Sequence, residues 1–148
     1  MMEGMSARVP ASVEGKAPCD RRRVLIVDDE AAIRRLFELI LASELPQHLI
    51  DVAEDGQEAV RSFLSGHHAV LLMDLRMPVM DGRAAFSVIE QECSIRNWEM
   101  PSVVFCTGFA PPDSVRRIVE GNPSHSLVAK PVSNERLIEA VRTRLAGP

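Results

Sequence analysis

The chain has 148 residues, a formal net charge of −4, 46% hydrophobic residues and 26% charged ones. That size and balance describe one globular domain, not a disordered acidic segment, and the net acidity argues against a general nucleic-acid binder. The longest apolar run, Ala69 to Met73, is far too short to insert in a membrane.

Residues 1 to about 21 hold Gly4, Pro10, Ser12, Gly15 and Pro18 without periodicity. They read as a flexible tail preceding one domain over residues 22–146, with no output domain. The amino terminus has no apolar h-region, so no secretory signal is expected. Cys19, Cys93 and Cys106 are odd in number and lack ligand spacing, which reads as reduced thiols in a cytoplasmic protein.

Arg21-Arg22-Arg23 abuts a buried-strand run, Val24 to Val27, that ends on Asp28-Asp29-Glu30. Ile33, Leu36, Phe37, Ile40 and Leu41 then recur at helical spacing, with Arg34, Arg35 and Glu38 outward. Pro46 closes that helix. His48 to Ala53 is a strand candidate, Glu54-Asp55-Gly56 a turn, and Glu58 to Leu64 a short helix ended by Gly66.

Ala69-Val70-Leu71-Leu72-Met73 is apolar without interruption and ends on Asp74. A run of that kind reads as a strand buried on both faces, which belongs to a parallel sheet covered by helices. After Asp81-Gly82 a helix is predicted from about Arg83 to Cys93, followed by a polar loop carrying Trp98 as an anchor. Ser102 to Cys106 is a fourth strand ending on Thr107-Gly108. Pro111-Pro112-Asp113 opens a helix carrying Val115, Ile118 and Val119, stopped by Gly121-Asn122-Pro123. Ser126 to Ala129 is a fifth strand ending on Lys130-Pro131, and Ser133 caps a last helix. His67-His68 reads as a loop pair and His125 as a polar strand-edge residue. Five strands alternating with five helices imply an α/β doubly wound parallel sheet.

In such a sheet every strand delivers its carboxyl end to one edge, where ligands bind. Four strands end there on Asp28-Asp29, Asp74, Thr107 and Lys130. Any one of these has an ordinary explanation as a cap, a turn former or a solvated end; the convergence of all four does not. Carboxylates gathered this closely repel: at an effective dielectric of about 20, a like-charge pair at ~4 Å costs about 4 kcal/mol. Lys130 supplies one compensating charge. A hard divalent ion with oxygen ligands supplies the rest, and Mg²⁺, with Mn²⁺ as the alternative, suits a site of few carboxylates. An aspartate beside such an ion, a lysine and a hydroxyl can attack phosphorus and hold an acyl phosphate.

Asp28-Asp29, Asp74 in Asp-Leu-Arg-Met-Pro-Val-Met-Asp-Gly, Thr107-Gly and Lys130-Pro together resemble the receiver domain of two-component response regulators, over about residues 22–146. The resemblance implies a flavodoxin-like (βα)5 fold with strand order 2-1-3-4-5. It implies that Asp74 accepts a phosphoryl group from a phosphohistidine on a sensor histidine kinase or histidine phosphotransfer protein. Asp29, Asp74 and the backbone carbonyl of Arg76 would hold Mg²⁺, with Asp28 acting through water. Lys130 would pair with the phosphoryl group, the Thr107 hydroxyl would move to bond it, and the Lys130-Pro131 bond would be cis. A downstream protein would read the face made by the fourth helix, fifth strand and fifth helix, without direct nucleic-acid contact.

Two positions depart from the common pattern. Leu127 stands where relatives often carry a switching aromatic, and Arg76 is a large cation beside the site. Against this signalling module stands a Mg²⁺-dependent phosphohydrolase of the haloacid-dehalogenase type. That superfamily keeps its nucleophile on the first strand in an Asp-x-Asp pattern, whereas here the first strand gives adjacent aspartates. A receiver that has lost phosphorylation is disfavoured because all five site residues remain.

Overall fold

The computed structural model describes residues 15–146. Its elements run β1 (Asp20–Val27), α1 (Ala31–Glu44), β2 (Leu49–Ala53), α2 (Gly56–Gly66), β3 (His68–Asp74), α3 (Gly82–Arg96), β4 (Ser102–Thr107), α4 (Asp113–Gly121), β5 (Ser126–Ala129) and α5 (Asn134–Leu145). All strands pair in parallel, in the order β2-β1-β3-β4-β5. This is the doubly wound parallel sheet that the alternation predicts, in the flavodoxin-like strand order that the resemblance implies.

β3 is central, and each of its seven residues is buried. Its side chains divide between the two faces. Val70 and Leu72 join Ile26, Val104, Phe37 and Leu41 of α1, and Leu137 and Val141 of α5. Leu71 and Met73 join Leu25, Phe105, Phe63 of α2, Phe86 and Ile89 of α3, and Val115 of α4. Burying a side chain of this size is worth roughly 1.5–3 kcal/mol, so the uninterrupted apolar run is the main anchor of the domain. Gly82 lets α3 start against the end of that strand. A Cβ there would fall 2.4 Å from the Asp74 carbonyl oxygen, a separation no side chain tolerates.

Several expectations change. The chain joins the fold before residue 22. The Ala17 N–H donates to the Asn97 carbonyl at 3.0 Å, the Glu99 N–H donates to the Ala17 carbonyl at 2.8 Å, and β1 already begins at Asp20. These partners lie some eighty residues away, so no local pattern reveals them; the rest of the expected tail, residues 1–14, lies outside the described residues. His68 is not a loop residue. It is fully buried on β3, with Nε2 2.7 Å from Oδ2 of Asp51. His125 is buried too: its Nδ1 accepts the Val103 N–H at 3.0 Å, pairing a donor just before β5 joins β4. Leu36 is 48% exposed, because the buried seam of α1 centres on Phe37 and Leu41. Trp98 is indeed an anchor, stacked on His67 at 4.2 Å and edge-on to Phe63.

Cys19, Cys93 and Cys106 are free and buried. Burial pushes the Cys93 thiol up to about 11 and the Cys106 thiol up to about 12, and raises Cys19 further. Among the described residues no helix is long and apolar enough to cross a membrane.

Candidate functional site at the carboxyl edge of the sheet

Parallel pairing places the strand ends side by side. Asp28 follows β1, and its N–H donates to the Ala53 carbonyl at the end of β2. Asp74 closes β3 opposite Cys106, and Thr107 closes β4 opposite Ala129. The Lys130 N–H donates to the Thr107 carbonyl at 2.8 Å, which fixes the fifth strand's exit beside the fourth. The peptide bond that follows, Lys130-Pro131, is cis, as the resemblance implies.

Within this frame Lys130 Nζ donates to Asp28 Oδ2 at 2.8 Å and lies 3.4 Å from Asp74 Oδ1. Asp28 and Asp74 are both buried, whereas Asp29 is exposed. One carboxylate oxygen from each of Asp28, Asp29 and Asp74 lies within 4.8 Å of the others. The Asp28 loop is braced from two sides. Its Oδ1 accepts the Glu30 N–H at 2.9 Å, and Arg34 donates to its carbonyl at 2.8 Å.

The electrostatics follow from this crowding. Burial, then the neighbouring Asp28 carboxylate, pushes the Asp74 carboxyl up to about 6, and Lys130 offsets only part of that. Burial alone would lower the Lys130 ammonium, but the Asp28 and Asp74 carboxylates outweigh it and raise Lys130 above its ordinary range. Lys130 thus pairs with two of the three clustered carboxylates, and a cluster left short of positive charge fits a hard divalent ion.

Thr107 is buried, and its hydroxyl is engaged twice by one residue. It donates to the Phe109 carbonyl at 3.0 Å and accepts the Phe109 N–H at 3.1 Å. The Arg76 N–H donates to Asp74 Oδ1 over a long 3.4 Å, and the Arg76 side chain lies over the Phe109 ring at 4.4 Å. Leu127, half-buried on β5, packs with the layer containing Phe105 and Val115. All five expected residues therefore meet at one edge, with the Arg76 backbone adjoining them. Sequence reasoning missed Arg34 and Phe109. Arg34 sits at an outward helix position, and Phe109 stands between strand and helix with no pattern to mark it.

A sequence profile described as the response regulator receiver domain matches residues 24–142. A protein-glutamate methylesterase/protein-glutamine glutaminase of Caldanaerobacter subterraneus subsp. tengcongensis is 45% identical over 67 residues, which is 45% of this chain and 18% of that protein. The transcriptional regulatory protein ResD of Bacillus subtilis is 45% identical over 60 residues, 40% of this chain and 24% of ResD. The chain thus spans less than a quarter of the length of these curated relatives. Among solved structures, a CheY-like response regulator receiver domain protein from Methanospirillum hungatei superposes with a TM-score of 0.71 at 26% identity, over 86% of this chain and 96% of its own. Fold, strand-end chemistry and sequence profile agree: the chain belongs to the response regulator receiver domain family.

Proposed function

We propose that Asp74 is the phosphoacceptor of this receiver. An Asp74 carboxylate oxygen attacks the phosphorus of a phosphohistidine, a P–O bond forms, the P–N bond breaks, and its electron pair returns to the imidazole of the donor. The observation that carries the reading is the Asp74 carboxylate itself. It ends the central buried strand, 3.4 Å from Lys130 and beside two further carboxylates.

Asp28, Asp29, Asp74 and the Arg76 backbone carbonyl are the groups that would hold Mg²⁺ or Mn²⁺. That ion would neutralise charge on the phosphoryl oxygens when bound. Lys130 pairs with the transferred group, and the Thr107 hydroxyl donates to it. Charge-assisted hydrogen bonds of this kind are roughly twice as strong as neutral ones.

The partners that fit are a sensor histidine kinase or a histidine phosphotransfer protein upstream, and a protein reading the α4–β5–α5 face downstream. The chain acts by accepting a phosphoryl group in the cytoplasm, with no substrate turned over beyond loss of its own acyl phosphate. The dehalogenase-type alternative is disfavoured by position. The first-strand carboxylate Asp28 is closed off by Lys130 at 2.8 Å, while the central-strand Asp74 holds the weaker contact.

The test is to incubate the protein with acetyl phosphate and Mg²⁺ and map the added phosphoryl mass by peptide. Label is expected on Asp74 alone, lost in Asp74→Asn and stopped by EDTA. Undiminished label on Asp74→Asn, or steady turnover of a phosphomonoester, refutes the reading.

A further inference from the structure

Two loops at the site touch through a contact that neither loop's sequence announces. Arg76 lies two residues beyond Asp74 and Phe109 two residues beyond Thr107, and the Arg76 guanidinium carbon sits 4.4 Å from the Phe109 ring centroid. Phe109 is 63% exposed, whereas Phe37, Phe63, Phe86 and Phe105 are all buried. Its backbone is held as well, since the Thr107 hydroxyl bonds both the carbonyl and the N–H of Phe109. Phe109 therefore has two pins, Thr107 on its backbone and Arg76 on its ring.

We propose that Phe109 reports the phosphoryl state of Asp74, because both of its pins are groups for which a phosphoryl group competes. The inference rests on the phosphoacceptor reading of Asp74. Thr107 has one hydroxyl proton, now given to the Phe109 carbonyl; it cannot also be given to a phosphoryl oxygen. Arg76 faces a similar choice. A guanidinium pairs with phosphate oxygens through charge-assisted, often bidentate bonds, which are stronger than its attraction to the face of a ring. The Arg76 backbone N–H already points at Asp74.

A phosphoryl group on Asp74 adds roughly 1.5 to 2 negative charges, and so draws both pins off Phe109 together. The freed residue lies between Gly108 and Pro111-Pro112. Pro112 is the N-cap of α4, and its carbonyl accepts the Val115 and Arg116 N–H groups. Two stiff prolines pass a displacement of Phe109 into the first turn of that helix. Phe109 thereby supplies an aromatic that Leu127, on β5, lacks.

The protein carries five phenylalanines, and Phe109 alone among them is exposed. Biosynthetic labelling with 4-fluorophenylalanine therefore gives a fluorine resonance for Phe109 set apart from four buried ones, assigned by its loss in Phe109→Leu. Spectra are taken before and after acetyl phosphate and Mg²⁺, with intact mass measured on the same samples. The Phe109 resonance is expected to move by more than its line width and more than any of the other four. In Arg76→Gln, an exposed position, the unphosphorylated resonance is expected to start displaced toward the phosphorylated one; Arg76→Lys, which keeps a cation for the ring, stays nearer the wild type. A protein that takes the phosphoryl mass on Asp74 while the Phe109 resonance stays put overturns the proposal. So does Arg76→Gln with an unmoved resonance. Absence of the phosphoryl mass overturns the phosphoacceptor reading and this proposal with it, and the mass spectrum tells the two failures apart.

Discussion

Two aspartates at opposite ends of the sheet are pushed in opposite directions. Asp20 opens β1 and accepts hydrogen bonds from the Arg22 side chain and N–H, which hold its carboxyl down at about 2. Asp74 closes β3, where burial and Asp28 push it up to about 6. The amino-end pole matches its charges. Arg23 serves both Asp20 and Asp51, Arg21 reaches Glu99 at 3.5 Å, and the second Glu99 oxygen accepts the buried Cys19 N–H at 2.8 Å. At the carboxyl-end pole, one ammonium serves a crowd of carboxylates. The first pole is built for stability; the second keeps an unmet demand for positive charge, and an unmet demand is what a ligand or a transferred group can answer.

Removing Lys130 should break this contrast most severely. Lys130→Met leaves Asp28 buried without its partner, and taking one member from a buried pair costs about 3–5 kcal/mol. Urea denaturation in chelator should show that loss, with part of it recovered on adding Mg²⁺. Full stability of Lys130→Met in EDTA would mean that the carboxyl-end pole is not short of charge.

Asp74→Asn should act in the other direction. The folded carboxyl keeps its proton up to about pH 6, while an unfolded one releases it near 3.8. Ionisation therefore works against the fold: the penalty is full above about pH 6, fades as pH falls from 6 to 3.8, and is gone below 3.8. At pH 7 without metal the variant should be more stable than the wild type by up to about 3 kcal/mol. That advantage should shrink steadily between pH 6 and 4, and a pH-independent difference would count against the crowding account.

The smallest effect belongs to the amino-end pole. Glu99→Ala leaves the buried Cys19 N–H without an acceptor and should cost about 1–3 kcal/mol. The yield of acyl phosphate on Asp74 should not change, since Glu99 bonds to Cys19 and Arg21 at the far end of β1. A matching loss of phosphorylation would show that the two poles are coupled.

The carboxyl-end pole was legible because strand ends in a parallel sheet align without help from side chains, so reading where each apolar run stopped was enough to gather Asp28, Asp74, Thr107 and Lys130. The amino-end pole was not. Its contacts join Ala17 to Asn97 and Glu99, and His68 to Asp51. His68 reads as part of a loop pair and His125 as a strand-edge polar residue because a polar residue beside an apolar run usually marks its end; both are buried, and each spends a ring nitrogen on a single partner. The Phe109 contact escaped for a related reason. A lone aromatic in a loop carries no periodicity, and its partner Arg76 comes from a different strand's loop.

The burial of all three cysteines has a practical consequence. Thiol-directed reagents attack the thiolate, and every native thiol here is both enclosed and held well above neutral pH. The wild-type chain should stay silent toward a maleimide while folded. One cysteine introduced at an exposed position, such as Ile95 or Val79, then becomes a unique attachment point for a dye, a spin label or a surface tether. No native residue has to be removed first, so the protein can be studied singly with its core intact.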